Sequence, residues 1–298
     1  MALVPPSASW ARSATEFAAV TPSREVLLGH PGDFAVLEAQ NAHMQTADGA
    51  LQQVDAARAL EQWQELRCAY EEIGVRTSIL PSGQGLADLC FTANPSLVLA
   101  CPDGRREVWL AKMRHPSRQP ETALHEDFHR QRGAVIRRMP EQVPRFEGCG
   151  DGVQHPGRFL MHAGTGPRSD ASAWAWMAEA HPELEILLYE LVDPRFYHLD
   201  TALAPLDERC ALYVPEAFDD AGRARVLAAF PAAIALPLDE AMRFAGNAHC
   251  PDGKHVLLDA ACEATAELLR ARGYVPIPLD TSEFRKAGGS VFCLKLAL

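Results

Sequence analysis

Short apolar runs alternate with amphipathic stretches along almost the whole chain. Between residues 51 and 73, apolar side chains recur every three or four positions, a spacing that predicts a helix. Gly74 follows as a helix stop, and residues 75–80 have the composition of a strand. The same criteria predict further strands at residues 24–28, 97–100, 108–111, 134–137, 158–162, 184–189, 197–203, 211–214, 255–258, 274–277 and 291–298. They predict further helices at residues 119–132, 171–180, 221–230 and 260–272.

The regular order of short strands and helices favours an α/β fold built from repeated strand–helix–strand units. No long linker interrupts this order, so we expect one catalytic domain over residues 23–298, preceded by a loose tail over residues 1–22. The sequence contains neither GxGxxG after a strand nor GxxxxGK[ST], which argues against a nucleotide-binding fold. It also lacks the apolar core of a secretory signal and a run of about 18 apolar residues, so we expect no membrane partner.

The charge of the chain narrows the range of partners. Among 298 residues, 28 Lys and Arg stand against 39 Asp and Glu, which gives a formal net charge of −11. Such an acidic protein lacks the basic surface that nucleic acids require, so we expect no nucleic-acid partner. A small cationic ligand is compatible with this charge. The eight cysteines show neither CxxC spacing nor a small disulfide framework, which favours a reduced, cytoplasmic protein.

The segment DTSEFRKAGGSVFCLKLAL, at residues 280–298, contains the first candidate for chemistry. In a strand, Cys293 and Lys295 would share one face, and the opposite face would be entirely apolar. A cysteine outside the apolar face, soon after Gly288 and Gly289, suits a nucleophile beside a loop that a ligand can approach closely. The alternative is a thiol packed on a strand, and this segment alone leaves both interpretations open.

A thiol nucleophile needs a partner for proton transfer, and the segment YHLDTALAPLD offers one. In the strand predicted over residues 197–203, alternation places His198 and Asp200 on the same face. A carboxylate beside an imidazole fixes its tautomer and favours its protonated form. A hydrogen-bonded pair at a strand edge, without a catalytic role, is the other interpretation of this pair.

Acids, amides and arginines are also concentrated in five short polar segments. A glycine-rich turn can hold acids in a cleft, and a buried guanidinium pairs with a carboxylate through two parallel hydrogen bonds. Each of these residues taken alone is also typical of a solvated surface. The candidates are Asn41 in QNAHM, Asp88 and Asn94 in DLCFTAN, Arg114 and Arg118 in KMRHPSRQPE, Glu147 and Asp151 in RFEGCGD, and Arg168 in GTGPRSD.

Taken together, these segments resemble the guanidino-group modifying enzymes. That superfamily contains arginine deiminases, dimethylarginine dimethylaminohydrolases, arginine dihydrolases and amidinotransferases. The resemblance covers residues 41–298, in the order of the family, and is closest to the members similar to arginine dihydrolases. Its most specific parts are DLCFTAN, FEGCGD, HLDTALAPLDE and EFRKAGGSVFCL. It implies a five-bladed α/β propeller, or pentein, with pseudo-five-fold symmetry around a polar cavity, and it implies no metal and no organic cofactor.

The resemblance also implies a role for each candidate residue. Cys293 would be the nucleophile and His198 the general acid and base. Glu147 would hold the substrate guanidinium, and Asp200 would assist it or orient His198. Asn94 stands where arginine deiminases and dimethylarginine hydrolases usually carry Asp, and in this it is similar to the arginine dihydrolases. The substrate-binding positions implied are Asn41, Asp88, Asn94, Arg114, Asp151 and Arg168.

The activity implied is hydrolysis at the guanidinium carbon of arginine or a substituted arginine. The reaction would pass through a covalent thiouronium on Cys293, and an arginine dihydrolase or deiminase that releases ammonia is the first interpretation. The alternatives are a dimethylarginine dimethylaminohydrolase, which releases dimethylamine and citrulline, and an amidinotransferase. A non-catalytic binding protein of the same fold would lack the cysteine or the histidine. The expected partner is a small cationic guanidino compound, and a homodimer stays open.

Overall fold

The computed structural model describes residues 3–298, and its elements follow the alternation predicted from the sequence. The strands are β1 (Leu3–Val4), β2 (Glu25–Gly29), β3 (Arg76–Leu80), β4 (Ser96–Ala100), β5 (Arg106–Leu110), β6 (Val135–Arg138), β7 (Gly152–Gln154), β8 (Leu160–Thr165), β9 (Glu185–Glu190), β10 (Leu203–Pro205), β11 (Ala211–Tyr213), β12 (Ile234–Ala235), β13 (His255–Asp259), β14 (Val275–Leu279) and β15 (Lys295–Ala297). The helices are α1 (Ala56–Glu72), α2 (Glu121–Gln131), α3 (Gly148–Asp151), α4 (Ala171–Ala180), α5 (Asp220–Ala229), α6 (Leu238–Ala241), α7 (Glu263–Ala271) and α8 (Ser282–Arg285).

Within residues 3–298 the strands form five separate sheets that repeat one pattern. In four sheets a central strand has an antiparallel neighbour on one side and a parallel neighbour on the other. A helix connects the two parallel strands, as a parallel crossover requires. The four sheets are β15-β2-β3, β4-β5-β6, β7-β8-β9 and β10-β11-β12. In the fifth, β13-β14, the antiparallel neighbour is reduced to a bridge between His249 and Leu257. The predicted α/β class is confirmed.

The two ends of the chain meet in one sheet. The C-terminal strand β15 pairs with β2 near the N-terminus, with Lys295 opposite Leu28. The turn that holds Cys293 immediately precedes β15 and is therefore tied to the start of the fold. Within the described range, no helix has the length and apolarity needed to cross a membrane.

The N-terminal segment is packed on the sheets and is not loose. β1 extends the sheet of β7, β8 and β9 by pairing in parallel with β9. The side chains of Trp10 and Phe17 are buried in the largest apolar cluster, and Trp10 Nε1 donates a hydrogen bond to Glu185. The prediction of a loose tail over residues 1–22 is therefore wrong for residues 3–22, and residues 1 and 2 lie outside the described range. The segment is held by two isolated aromatic residues, and its sequence lacks the apolar periodicity that would predict a helix or a strand.

Two predicted strands near the candidate residues are mostly turns. Residues 199–201 form a 3-10 turn ahead of β10, and residues 291–294 form a turn ahead of β15. Both strand predictions are wrong over these residues, because a short alternation of apolar residues is equally compatible with a buried turn. The directions of His198, Asp200 and Cys293 are consequently set by turns and by tertiary contacts.

Helix α1 positions the segment that leads to Cys293. The Asp55 carboxylate accepts hydrogen bonds from the first backbone N–H groups, so α1 begins at Ala56 and not at residue 51. The Asp55 backbone N–H donates to Glu283 at 2.8 Å, and Gln62 donates to Ser282 at 2.8 Å. These bonds fix α8 against α1, and α8 leads directly into the glycine pair before Cys293.

Candidate active site

A narrow cavity lies between loops that come from several of the sheets. Its walls are polar and deeply buried, and they include a cysteine, a histidine and two arginines. Six of the predicted site residues line it, namely Asn41, Asp88, Asn94, Arg168, His198 and Cys293. The structure thus brings together residues that are up to 252 positions apart in the sequence.

The thiol of Cys293 occupies a turn that is held by its surroundings. Its sulfur lies 3.2 Å from Asp200 Oδ2, to which the thiol donates, and 3.2 Å from the amide Nδ2 of Asn247. The Asn247 Oδ1 accepts from the backbone N–H groups of Ser290 and Cys293, at 3.0 and 3.2 Å. Asn247 therefore fixes both the backbone of the turn and the position of the sulfur.

Gly288 is required by the geometry of this turn. Its φ angle is +88°, a region that side chains disfavour, and an added Cβ would lie 2.6 Å from Asn41 Nδ2. Tyr197 donates its hydroxyl proton to the Gly288 carbonyl. The glycine lets the chain pass close to the cavity wall, as the glycine pair in the sequence predicts.

Burial favours the neutral forms of the thiol and of the neighbouring carboxyl. Burial raises the pKa of Cys293 well above its usual value, and the charge of Asp200 raises it further. Burial also raises the pKa of Asp200 to about 7, although the bond from Cys293 and the charge of Lys295 oppose this. Asp200 Oδ1 is buried without a hydrogen-bond partner in the described chain. A cation bound at this oxygen would favour both anions.

Glu147 has the opposite environment. Its Oε2 lies 2.8 Å from His198 Nε2 and accepts from Arg168 Nη1 at 2.9 Å, and its Oε1 accepts from the Arg114 backbone N–H at 2.9 Å. Burial alone would raise the pKa of Glu147, but the bond with His198 and the charges of His198 and Arg168 lower it far below its usual range. Glu147 is therefore a fully partnered anion that orients the imidazole.

This arrangement differs from the roles that the resemblance implies for the two carboxylates. Glu147 is expected to hold the guanidinium, but both of its oxygens already have partners, three in all. Asp200 is expected to assist it or to orient His198, but it contacts Cys293, and His198 contacts Glu147. The 3-10 turn between His198 and Thr201 separates the two side chains, which a strand would have kept on one face.

One end of the cavity holds a second set of polar groups. Asn94 Oδ1 accepts from Arg118 Nη1 at 2.9 Å, which assigns the orientation of the amide and leaves Nδ2 buried without a partner in residues 3–298. Arg118 is also paired with Glu121 at 2.8 Å. Asp88 Oδ2 accepts from Gln40 at 3.1 Å, and its Oδ1 is buried and unpartnered in the same range. This end therefore offers one carboxylate oxygen and one amide donor to a ligand.

Three expected substrate-binding residues have other contacts. Arg114 is exposed and donates to the Pro167 carbonyl at 3.2 Å, because the 3-10 turn Pro116–Arg118 directs Arg118 to the cavity in its place. Asp151 lies outside the cavity wall and accepts from the Leu199 N–H at 3.1 Å, which supports the turn that carries His198. Asn41 lines the cavity, but both of its polar groups bond to backbone, including the Ala287 carbonyl.

Comparison with known proteins identifies the family of this chain. The sequence matches the family described as N,N dimethylarginine dimethylhydrolase, eukaryotic, over residues 30–297. The chain belongs to this family. Membership makes the protein a hydrolase that acts on guanidino C–N bonds, as the resemblance to the guanidino-group modifying enzymes implies.

Relatives of this dimethylarginine hydrolase family member carry two activities in their names. The chain is 35% identical over 276 residues to the N(G),N(G)-dimethylarginine dimethylaminohydrolase of Mycobacterium tuberculosis, which covers 93% of this chain and 86% of that one. It is 33% identical over 252 residues to the bifunctional arginine dihydrolase/ornithine cyclodeaminase AgrE of Nostoc sp., which covers 84% of this chain and 34% of that longer protein. The N-terminal domain of ArgZ, an arginine dihydrolase of cyanobacteria, has a TM-score of 0.83 at 28% identity and covers 91% of this chain and 97% of that one.

Some residues of the site have little or no signal in the sequence. Asn247 lies 46 positions before the cysteine that it contacts, in a segment without a recognisable pattern. It is preceded by Phe244, whose left-handed φ of 69° is an uncommon and costly backbone conformation. Gln40 and Tyr197 could have been inferred only as neighbours of Asn41 and His198. Arg118 is among the candidates, but its preference over Arg114 depends on one 3-10 turn.

Proposed function

We propose that the protein hydrolyses free arginine as an arginine dihydrolase, with Cys293 as the nucleophile and His198 as the general acid and base. The observation that carries the proposal is the position of the Cys293 thiol, 3.2 Å from a carboxylate that has one unpartnered oxygen. His198 lines the same cavity, and Asp88 presents a second unpartnered oxygen from another part of the wall. A guanidinium and an α-ammonium are the two cations that a free arginine would bring to these two carboxylates.

Binding of the substrate would itself activate the nucleophile. The guanidinium would donate to Asp200 Oδ1 and place a delocalised positive charge beside the thiol. Because burial raises the pKa values of both Asp200 and Cys293, this charge favours loss of both protons. Arg168 lines the cavity and supplies a positive charge for the α-carboxylate. This charge favours an amino acid over agmatine, which has no carboxylate.

The reaction would proceed in two chemical steps at one carbon. The Cys293 thiolate attacks the guanidinium carbon, the bond from that carbon to a terminal nitrogen breaks, and the His198 imidazolium protonates the departing nitrogen. An S-alkylthiouronium remains on Cys293. Water then gives one proton to His198 and attacks the same carbon. The C–S bond breaks, the second proton of the water passes to solvent, and citrulline leaves with the thiolate restored. Glu147 keeps the imidazole in place throughout, from 2.8 Å.

Asn94 supports a second round of hydrolysis on citrulline. The ureido carbonyl oxygen of citrulline is a hydrogen-bond acceptor, whereas a guanidinium has only donors. A Cβ added to Gly150 would lie 2.4 Å from the unpartnered Nδ2 of Asn94 and 3.3 Å from the His198 ring. This donor is therefore close to the acid–base group. A buried donor stabilises the negative charge that develops on the ureido oxygen during attack. The second round would give ornithine, carbon dioxide and a second ammonia.

Dimethylarginine hydrolysis is the second candidate, and the family match favours it. The matched family and the relative from Mycobacterium tuberculosis are both named for dimethylarginine hydrolysis. The same thiol and imidazole would then release dimethylamine and citrulline from asymmetric dimethylarginine. An amidinotransferase would need a second amine in the cavity after the first product has left.

One assay distinguishes these candidates. Purified protein is incubated separately with arginine, asymmetric dimethylarginine and agmatine, and ammonia, dimethylamine, citrulline and ornithine are measured. Ornithine from arginine supports the dihydrolase. Dimethylamine with citrulline, and no turnover of arginine, overturns it in favour of the second candidate.

Finer features of the molecule belong to the same proposal. We propose that the five sheets are the blades of a five-bladed α/β propeller, because they repeat one strand order and β15 returns to the sheet of β2. A single catalytic domain over residues 23–298, a cytoplasmic location and a homodimer stay predictions.

A further inference from the structure

The side-chain amide of Asn247 uses all of its hydrogen-bonding positions around the nucleophile. Its Oδ1 accepts from the backbone N–H groups of Ser290 and Cys293, at 3.0 and 3.2 Å. Its Nδ2 donates to the Asp200 carbonyl at 2.8 Å and to the Cys293 sulfur at 3.2 Å. An amide has two acceptor positions and two donor hydrogens, so each of them has a partner in this site.

The two backbone donors assign the orientation of this amide. A backbone N–H group can only donate, so the amide atom that faces Ser290 and Cys293 is the oxygen. A flipped amide would set its NH2 group against two N–H groups and its oxygen against the Asp200 carbonyl. The group that faces the sulfur is therefore a donor. Asn247 is 0% exposed, so bulk water does not compete for this donor.

The segment that carries Asn247 packs closely against the turns of Asp200 and Cys293. The Asn247 carbonyl accepts from the Phe292 N–H at 2.9 Å. A Cβ added to Gly246 would collide with the carbonyl oxygen of Thr201, so only a glycine allows this approach. Phe244 adopts a left-handed φ of 69°, which is costly for a bulky residue. The chain thus contains one strained residue and one required glycine where it brings the amide to the sulfur.

The donor acts differently on the two protonation states of Cys293. In the thiol form, the sulfur donates to Asp200 and accepts from Asn247. When the proton leaves, the bond to Asp200 is lost, whereas the bond from Asn247 becomes charge-assisted and stronger. Burial raises the pKa of Cys293 well above its usual value, and the bond from Asn247 opposes this effect. Asn247 therefore favours the thiolate, which is the nucleophilic form.

Other charged and titratable groups surround the sulfur. Asp200 contacts it, and Lys295 is buried two residues further along the chain. The remaining groups line the substrate cavity, namely Asp88, Arg118, Arg168, Tyr197 and His198. Both arginines are already paired with a glutamate, at 2.8 and 2.9 Å. Among the side chains of residues 3–298, Asn247 is the one that donates a hydrogen bond to the sulfur.

We propose that Asn247 is a catalytic residue whose amide N–H stabilises the Cys293 thiolate during the attack on the guanidinium carbon. This inference rests on the proposed function of Cys293 as the nucleophile. The amide is uncharged, so it stabilises the anion without repelling a cationic substrate, as a lysine at the same place would. One side chain thus places the sulfur through its oxygen and stabilises the charge of the sulfur through its nitrogen.

The test compares how fast iodoacetamide alkylates Cys293 in wild-type protein and in two variants, with mass spectrometry of the peptide that contains Cys293. Asn247→Asp keeps the shape and an acceptor oxygen but replaces the amide donor, and Asn247→Leu keeps the approximate size without polar groups. A hydrogen bond to an ionised group corresponds to roughly one to two pKa units. At about pH 8, where the rate follows the thiolate fraction, we expect a loss of about tenfold or more in both variants.

A matched variant separates this effect from a general disturbance of the turn. The Thr281 hydroxyl bonds to Ser290 and Asp259 and does not contact the sulfur. Thr281→Val should therefore lower stability but change the alkylation rate by less than about twofold. A wild-type rate in folded Asn247→Asp, or the same loss in Thr281→Val as in Asn247→Leu, overturns the proposal.

A second readout uses the wild-type amide and does not depend on the folding of an Asn247 variant. The side-chain amide protons of Asn247 are followed by proton–nitrogen NMR as the pH is raised, with Cys293→Ser as the control. The proton that faces the sulfur is expected to move downfield as the thiolate forms, and this change should be absent in Cys293→Ser. No movement in wild-type protein, or the same movement in Cys293→Ser, overturns the proposal.

The two readouts also distinguish this inference from the proposed function. Alkylation and NMR report the state of the sulfur without any turnover. If the wild-type protein turns over no guanidino compound, the proposed function fails, while both measurements still decide whether Asn247 stabilises the thiolate.

Discussion

Two carboxylates of the site are equally buried and yet have opposite properties. Glu147 and Asp200 are both 0% exposed. Glu147 accepts three hydrogen bonds from cationic or backbone donors, and its pKa is lowered, because these partners outweigh burial. Asp200 accepts from a thiol, keeps one oxygen without a partner, and has a pKa raised to about 7 by burial. Partners, and not depth, decide the charge of a buried acid.

The comparison also distinguishes support from binding. A buried carboxylate whose two oxygens both have partners can hold other side chains, but it has little left for a ligand. A buried carboxylate with an unused oxygen is costly in the empty protein and becomes favourable when a cation arrives. By this criterion Glu147 orients the imidazole and Asp200 receives the guanidinium, and the predictions below test that division.

The largest effect is expected from the sulfur beside Asp200. Cys293→Ser should lower turnover by more than about a thousandfold, since an alcohol in this environment forms no comparable nucleophile. Cys68→Ser changes an exposed thiol and serves as the control. Product formation and thermal unfolding of both variants are measured. Near-normal turnover by Cys293→Ser with a native unfolding temperature would show that Cys293 is not the nucleophile.

The next effect separates the two carboxylates directly. Asp200→Asn should lower kcat/KM by roughly a hundredfold, mostly through KM, because the guanidinium loses a charge-assisted hydrogen bond. Glu147→Gln should instead lower kcat by roughly a hundredfold, because the imidazole loses the anion that orients it. Steady-state kinetics on the substrate identified by the product assay measure both. The same change in KM in both variants would contradict the assignment of guanidinium binding to Asp200 and of imidazole orientation to Glu147.

Stability should change in opposite directions in these two variants. Glu147→Gln leaves Arg168 as a buried guanidinium without its counter-charge and should cost roughly 3 kcal/mol in the free energy of unfolding. Asp200→Asn removes an acid whose ionisation is unfavourable in the folded state and should be neutral or stabilising at neutral pH. Denaturant unfolding of wild-type and variant proteins gives both values.

The pH dependence of stability follows from the same two shifts. The raised pKa of Asp200 means that the folded state holds a proton that the unfolded state releases near pH 4, so this group lowers stability as pH rises from about 4 to about 7. Asp200→Asn should remove that decline. The lowered pKa of Glu147 acts in the other direction, since its contribution is present above about pH 4 and is lost as pH falls further. Unfolding of wild-type and Asp200→Asn proteins at several pH values is the measurement, and parallel curves would contradict the account.

A smaller effect is expected at the amide end of the cavity. Asn94→Asp replaces a donor with an acceptor and should lower ornithine release by about tenfold while citrulline still forms. The ratio of ornithine to citrulline from arginine measures this directly. An unchanged ratio would exclude the amide from the second round.

The smallest effects come from a pair of arginines in one segment. Arg118→Met should raise KM by about tenfold, because Asn94 loses the donor that fixes its amide. Arg114→Ala removes an exposed side chain whose contact is a carbonyl oxygen, and it should change KM by less than about twofold. An equal loss in the two variants would contradict the position of Arg118 in the cavity.

The sequence predicts the order of elements better than it predicts their local geometry. Helix α4 has the predicted bounds, Ala171–Ala180, because its flanking Asp170 caps a strongly apolar segment. The strand predicted over residues 197–203 is a 3-10 turn and a short strand, and the alternation within it does not give the directions of His198 and Asp200. These directions depend on contacts with Glu147 and Cys293 that no local pattern records.

The resemblance indicates which residues lie in the same site but not which of them are in direct contact. It brings Cys293, His198 and two carboxylates to one place, but it does not give the contacts of His198 with Glu147 and of Cys293 with Asp200. The choice of Arg118 over Arg114 depends on the 3-10 turn Pro116–Arg118. The contact of Asn247 with Cys293 joins residues 46 positions apart in the sequence.

The central claim is that Cys293 forms a covalent bond to the guanidinium carbon beside Asp200. The direct test uses His198→Gly with an S-alkyl isothiourea analogue of arginine, whose leaving group needs little help from an acid, followed by quenching and mass spectrometry of the peptides. The account predicts an amidino-type adduct on the peptide that contains Cys293, and no adduct in the double variant with Cys293→Ser. An adduct on a different cysteine, or turnover of the analogue without any adduct on Cys293, would contradict it.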